Sequence, residues 1–303
     1  MDNICHTLVG AACSEAGLKR STRFAAPVLM IAANLPDIDV FAFVSDVPAV
    51  SLRRGWSHGI LAQVLLPVIF TGAVLLLDRA WRPTRGHPPA RALPILALSY
   101  VGVVSHVFLD WLNTYGVRLL MPFSPRWFHG DSVFIIDPWL WLVFGAGVVL
   151  SRRRAALTPA RVALAVAAVY IGAMVWSARA ARAVVIDAWV RERGRPPQAL
   201  MVGPVPGNPL RKTLIVDSGD DYERGSFAWW PARVTFDGRS VPRRGDEPAV
   251  ARAREQDAAM RAVLIWARFP YYELEPVDGG TRVTLRDMRF GDRLGAVSVR
   301  VPD

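Results

Sequence analysis

The sequence predicts an α-helical membrane domain of about four transmembrane helices, preceded by short N-terminal helices and followed by a small β-rich soluble domain. Three observations lead there. Apolar stretches at 60–77, 93–112, 133–150 and 162–178 each approach the roughly 20 residues that cross about 30 Å of hydrocarbon. Beyond the Pro- and Gly-rich segment 195–210 such runs cease and apolar–polar alternation replaces them. Apolar residues make up 52% and charged residues 20% of the 303, with a mean hydropathy of +0.25, which argues against an ordinary soluble enzyme.

Taken in order, residues 6–16 read as a short helix stopped at Gly17, where glycine supplies a left-handed cap. Asp2 and Asn3 are its candidate N-caps. Segment 25–44 is apolar but broken by Asn34, Pro36, Asp37 and Asp39. It is expected to be a buried or re-entrant helix and turn, because backbone at membrane depth must be covered by protein. The four spans follow, with Pro138 tolerable in the first turn of the third. Residues 1–180 thus form the helical membrane domain, 181–210 the linker and 211–303 the β-rich extramembrane domain. Strands are expected at 213–216, 226–236, 262–269, 271–274, 281–290 and 296–301, with Asp278-Gly279-Gly280 as a hairpin turn.

The net charge of +10 lies in dispersed loop arginines, not in a recognition helix, so nucleic acid is not an expected partner. Arg79, Arg82, Arg85 and Arg91 fill the first inter-helix loop, and Arg152, Arg153, Arg154 and Arg161 fill the third. The opposite loops carry Arg53, Arg54, Arg118 and Arg126. This bias makes the first set cytoplasmic, although Arg179 and Arg182 run against it. The N-terminus lacks the basic start and apolar region of a cleavable signal, so internal helices carry insertion. Cys5 and Cys13, with no CxxC spacing, exclude a disulfide framework and a zinc knuckle.

His106 and Asp110 stand four apart within an apolar run, so on a helix they point the same way. Ionisable residues inside a membrane-length segment are costly and mark function. Imidazole with carboxylate suits zinc or a similar divalent ion, while a helix-steadying His–Asp hydrogen bond is the plainer alternative. Helices of alternating direction bring together His58 at the start of span one and His106 and Asp110 at the end of span two. Asp131 and Asp137, at the start of span three, join them on the same membrane face. By the arginine bias that face is periplasmic, and an even number of spans places the β domain there too. His87 reads as a solvated loop residue, and His129 as a surface residue or a ligand. One of Asp37 and Asp39 is a candidate ligand and the other a cap; Asp137, before Pro138, is a ligand or an N-cap. Ser57 and Thr7 flank histidines and are placed to hydrogen-bond them. Trp111, Trp139 and Trp141 fit an interfacial belt.

Five motifs in order carry a resemblance. They are His6-Thr7-Leu8-Val9-Gly10, Asn34-Leu35-Pro36-Asp37-Ile38-Asp39, Arg54-Gly55-Trp56-Ser57-His58, Ser105-His106 with Asp110 and Asn113-Thr114-Tyr115-Gly116, and Phe134-Ile135-Ile136-Asp137-Pro138. Over about residues 1–150 they resemble the YdjM/YbcI family, bacterial inner-membrane proteins described as metal-dependent hydrolases. That family is distantly similar to zinc-dependent phospholipase C and the P1-type nucleases, helical enzymes whose zinc ions cleave phosphate esters. The resemblance implies His6, Asp37 or Asp39, His58, His106 and Asp110 as ligands, with Asp110 bridging two metals. Where those enzymes have further histidines, this chain offers Asp131 and Asp137. The implied cofactor is one or two divalent ions, zinc foremost and manganese as the alternative. The implied activity is metal-assisted hydrolysis of a lipid or lipid-linked phosphate at the membrane face. Asp39 or Asp131 would be base, with Arg53 or Arg54 at the phosphate. The rivals are a non-catalytic metal-stabilised scaffold that binds a partner and a membrane metallopeptidase, the latter opposed by the lack of His-Glu-x-x-His.

Overall fold

A computed structural model describes residues 1–44, 49–81, 89–290 and 296–302. Arg82, Arg85 and His87 lie outside the described residues. The chain forms two units, Met1–Asp39 with Arg54–Trp176, and Val40–Arg53 with Ser177–Asp303.

The first unit is helical. Helix α1 (Asn3–Glu15) begins at Asp2, whose carboxylate accepts from the amides of Ile4 and Cys5, and it is followed by Gly17 at φ 132°. Helix α2 (Ala25–Ala32) is followed, after a bend of 42°, by the 3-10 stretch Leu35–Val44. The short α3 (Ala49–Leu52) belongs to the second unit. Then come α4 (Ile60–Trp81), α5 (Ala92–Trp111), α6 (Pro138–Arg154) and α7 (Thr158–Arg193). Among the described residues three helices, α4, α5 and α7, are long and apolar enough to span a membrane, or four spans if the bent pair counts as one. The helix of the expected third span at 133–150 starts only at Pro138, where Asp137 caps it, and its 17 residues rise roughly 25 Å, at the short end of what crosses a bilayer.

Two glycines set how closely these helices approach. A Cβ on Gly10 of α1 would stand 2.8 Å from the Leu29 carbonyl oxygen of α2, and one on Gly102 of α5 would stand 2.6 Å from the Ala32 Cβ. Backbone-to-backbone packing through small residues is how helices associate in lipid, where no hydrophobic drive separates them from the solvent. It locks together α1, α2 and α5, which carry or adjoin His6, Asp37, His106 and Asp110. Cys5, Val9, Leu109, Leu112, Leu140 and Phe144 pack beside this crossing.

In the second unit, β1 (Ala199–Val205), β2 (Asn208–Asp217), β3 (Asp221–Trp229) and β4 (Ala232–Pro242) form an antiparallel meander in that order. Its inner face buries Leu200, Leu214 and Phe227 against Ala181, Val185 and Trp189 of α7. Helices α8 (Pro248–Gln256) and α9 (Ala258–Trp266) precede a second antiparallel sheet, β5 (Pro270–Val277), β6 (Gly280–Asp287) and β7 (Val297–Val301). Val250, Met260 and Val263 cover it through Tyr272, Val283 and Leu285. The Asp278-Gly279 turn is present, with Gly279 at φ 68° and Val277 paired with Gly280.

Three expectations for this region change. The 181–210 segment is mostly ordered structure: α7 continues to Arg193, Gly194 follows it at φ 72°, and β1 begins at Ala199. The 226–236 run is a hairpin, not one strand, turning at Trp230-Pro231 with Trp229 paired to Ala232. The 262–269 run is largely α9, because Asp257 caps it by accepting from the Met260 amide at 2.7 Å. Its buried Met260, Val263 and Trp266 then recur with helical spacing.

Candidate metal centre

The His58 segment is shaped by its backbone. Arg54 adopts φ 52°, and its amide donates to Asp39 Oδ2 at 2.7 Å while its carbonyl accepts from the Arg118 amide at 2.8 Å. The Gly55 carbonyl accepts from the amides of His58 and Gly59 at 3.1 and 2.8 Å, closing a turn that delivers His58 just before α4. Helix α5 returns with His106 and Asp110 in its last two turns. The i, i+4 spacing points both at the same place.

One ligand atom from each of Asp37, His58, His106 and Asp110 lies within 4.8 Å of all the others, and all four residues are buried. His58 Nε2 is 3.1 Å from His106 Nε2 and 3.2 Å from Asp110 Oδ2. His106 Nε2 is 3.6 Å from Asp110 Oδ2 and 3.7 Å from Asp37 Oδ1.

The outer nitrogens explain the inner ones. His106 Nδ1 is 2.7 Å from the Ala33 carbonyl oxygen, an acceptor, so Nδ1 carries the proton. Ser57 Oγ donates to Asp39 Oδ2 at 2.9 Å and therefore accepts from His58 Nδ1, also 2.9 Å away. Both Nε2 lone pairs then face each other across 3.1 Å. That arrangement repels unless a cation is shared, and outer hydrogen bonds of this kind are how proteins orient histidine toward metal.

His6 lies on the other side of Asp110. Its ring stacks on His106 with centroids 3.8 Å apart, and its Nε2 is 3.3 Å from Asp110 Oδ1. Both His6 nitrogens are buried, and neither finds a hydrogen-bond partner of proper geometry. An orphaned imidazole in the interior is costly unless a ligand satisfies it. Burial pushes the His6 pKa down to about 3 and lowers that of His58, so both are neutral, as metal ligation requires. The Met1 α-ammonium also contacts Asp110 Oδ1. The donor set, neutral imidazoles and carboxylates, therefore fits a divalent ion such as zinc.

The structure distributes the sequence-expected residues unevenly. His58, His106, Asp110 and Asp37 converge, with His6 alongside. Of the aspartate pair, Asp37 faces the group, while Asp39 stands behind His58, its Oδ2 3.4 Å from Nδ1. Asp131, half-buried at φ 49°, lies in the loop before α6 and outside the four-residue group. Asp137, a ligand or an N-cap by the sequence, caps α6 and is not in the four-residue group. Its Oδ1 accepts from the amides of Trp139 and Leu140 at 3.0 Å each, and its Oδ2 accepts from the Tyr170 hydroxyl at 2.9 Å. His129, half-buried, stacks on Trp127. Arg53 lies in the second unit.

Arg54 departs most from expectation. It is a buried side chain, not a loop cation: Nε reaches Asp110 Oδ2 at 2.9 Å and Nη2 reaches Oδ1 at 3.1 Å, a two-pronged fork. Its Nη1 donates to Asn113 Oδ1 at 2.9 Å, and its guanidinium lies over the Tyr115 ring. The signal for this was present, since Asn113 and Tyr115 stand three and five residues beyond Asp110 in one motif.

Residues 1–181 match the model of the family described as YdjM inner membrane protein. A curated relative, the uncharacterized protein YfhP of Bacillus subtilis strain 168, is 27% identical over 119 residues, 39% of this chain and 34% of YfhP. The match thus spans about a third of that relative's length. No solved structure matches the chain. With more than half of its residues covered, and the buried Asp37–His58–His106–Asp110 group inside the matched region, the chain belongs to the YdjM inner membrane protein family.

Proposed function

We propose that this protein is a membrane-bound, metal-dependent hydrolase of phosphoesters, with a lipid or lipid-linked phosphate as substrate. Its site and β unit are assigned to the periplasmic side of the inner membrane. The observation that carries the reading is the buried convergence of Asp37, His58, His106 and Asp110. Bound there, a divalent ion supplies Lewis acidity at a phosphoryl oxygen and lowers the pKa of a water toward about 7. The chain's residues do the rest. Asp39, through Ser57, keeps the His58 proton on Nδ1 and Nε2 free to ligate. Asp110 presents its two oxygens to different partners, Oδ2 to His58 and His106 and Oδ1 to His6, the arrangement a bridging carboxylate needs. Arg54 holds that carboxylate in place by its fork and adds positive charge for a phosphate. Asp131 is assigned the proton transfer.

One observation favours a second reading. His58, His106 and Asp110 have no exposed surface, as in a metal that only ties helices together. Metal analysis of the purified full-length protein, with a panel of phosphatase and phospholipase substrates, separates the two. The expected result is bound zinc and turnover that chelation abolishes and zinc restores. A metal-loaded protein inert toward every phosphoester establishes the scaffold instead.

A further inference from the structure

Beside the metal group, on the adjacent stripe of α5, the first unit carries a cavity of about 480 Å³. Val9 of α1, Phe108 and Leu109 of α5, Phe144 of α6, and Ala168 and Gly172 of α7 wall it. The one hydroxyl in its lining, Ser105 Oγ, donates to the Gly102 carbonyl of its own helix at 2.8 Å. The rest of the lining is almost wholly apolar, so the cavity suits hydrocarbon far better than water. It is also open. A Cβ added at Gly172 would meet nothing within 4 Å.

What surrounds it identifies the occupant. Helices α5 and α7 are both candidate membrane spans, and the wall at Phe108, 46% exposed, continues into the outward apolar surface of Val101 and Val104. That surface meets bilayer hydrocarbon, in which glycerophospholipid chains are the bulk component. Along α5 the lining runs from Ser105 to Trp111, ending one residue past Asp110. A chain lying in the groove would bring the polar end of its lipid toward the turn that carries the Asp110 carboxylate.

We propose that this groove seats a fatty-acyl chain of a glycerophospholipid and makes that lipid class the substrate of the neighbouring centre. The second half of this inference rests on the hydrolase reading above; the first does not.

The test uses full-length protein in detergent, examined by native mass spectrometry, for wild type and for Gly172→Phe and Ala168→Leu, which fill the groove. Val169→Phe, at an exposed position of α7 outside the lining, is the control. Wild type and the control should retain a glycerophospholipid, and both filling variants should lose it with metal content unchanged. Losing the contact of two methylenes corresponds to about tenfold weaker binding. Accordingly, KM for long-chain phosphatidate should rise at least about tenfold, while a dihexanoyl analogue is unaffected. Equal retention in wild type and both filling variants overturns the groove, as does no retained lipid in wild type, loss in the control as well, or a retained polyprenyl lipid. If wild type turns over no phosphoester, the hydrolase reading fails, and lipid retention still decides the groove.

Discussion

In the first unit, three histidines and two aspartates, together with Arg54, direct buried polar atoms at one point. In the second unit the buried carboxylates are scattered, and each is answered locally. Asp287 pairs with Arg289 at 2.9 Å and accepts from the Arg268 amide at 2.7 Å; Glu223 accepts from Arg193 at 2.8 Å and from the Gly238 amide at 2.9 Å. All five histidines fall outside the second unit. Burial of charge is common to both units, so burial alone does not mark a site. What separates them is convergence without mutual satisfaction: His6 has two orphaned nitrogens, and the Nε2 atoms of His58 and His106 face each other. Asp287 has no such remainder.

The sharpest break in this comparison is substitution of one carboxylate in each unit. Asp110→Ala is expected to remove bound metal altogether and with it any turnover, because the variant loses the ligand shared by His6, His58 and His106 and strands Arg54. Metal analysis reads this directly, and unchanged metal stoichiometry would remove Asp110 from the ligand set. Asp287→Ala, by contrast, is expected to cost about 3–5 kcal/mol of stability by removing the carboxylate that balances the buried Arg289 side chain, while metal content stays at the wild-type level. Thermal unfolding with parallel metal analysis checks both halves. A loss of metal in Asp287→Ala would mean that the two units do not divide structure from chemistry in this way.

A milder variant probes the support behind the ligands. Asp39→Asn weakens the Asp39–Ser57–His58 chain but leaves all four converging residues intact. Outer hydrogen-bond partners of this kind are worth roughly 10- to 100-fold in metal affinity. Competition with a chelator of known affinity should therefore show weaker binding at full stoichiometry. Complete loss of metal would make Asp39 itself a ligand and reverse its order with Asp37.

How far the sequence reveals this depends on the range of the physics involved. Convergence of His58, His106 and Asp110 is legible because helix length and alternating direction alone bring those ends together. The choice between Asp37 and Asp39 is not. Two residues apart in a 3-10 stretch they point about 120° apart, and the Arg54 amide and Ser57 hydroxyl decide which faces in. Arg54, at a left-handed φ of 52°, reads as a loop cation from its own surroundings, and only the distant Asn113 and Tyr115 of the Asp110 motif announce its buried role. In the second unit the short apolar run at 262–269 fits strand or helix equally by composition. Asp257 as a cap was the signal that separates them.

The smallest effect is also the most pointed, because Asp137 lies in the same matched region and the same motif set as the ligands. Asp137→Ala loses an N-cap: two amide acceptances on Oδ1 and the Tyr170 hydroxyl on Oδ2. Such a loss costs about 1 kcal/mol, a modest fall in thermal stability, with metal stoichiometry and affinity as in wild type. Asp137→Asn should recover most of that stability, since an amide oxygen also accepts from Trp139 and Leu140. The pair of variants discriminates on charge. A cap needs an acceptor oxygen, whereas a ligand to a divalent ion needs the carboxylate. Stability rescued by Asn with metal unchanged in both variants keeps Asp137 with the locally satisfied acids of the second unit, despite its place in the first. Metal lost in both would move it into the converging set.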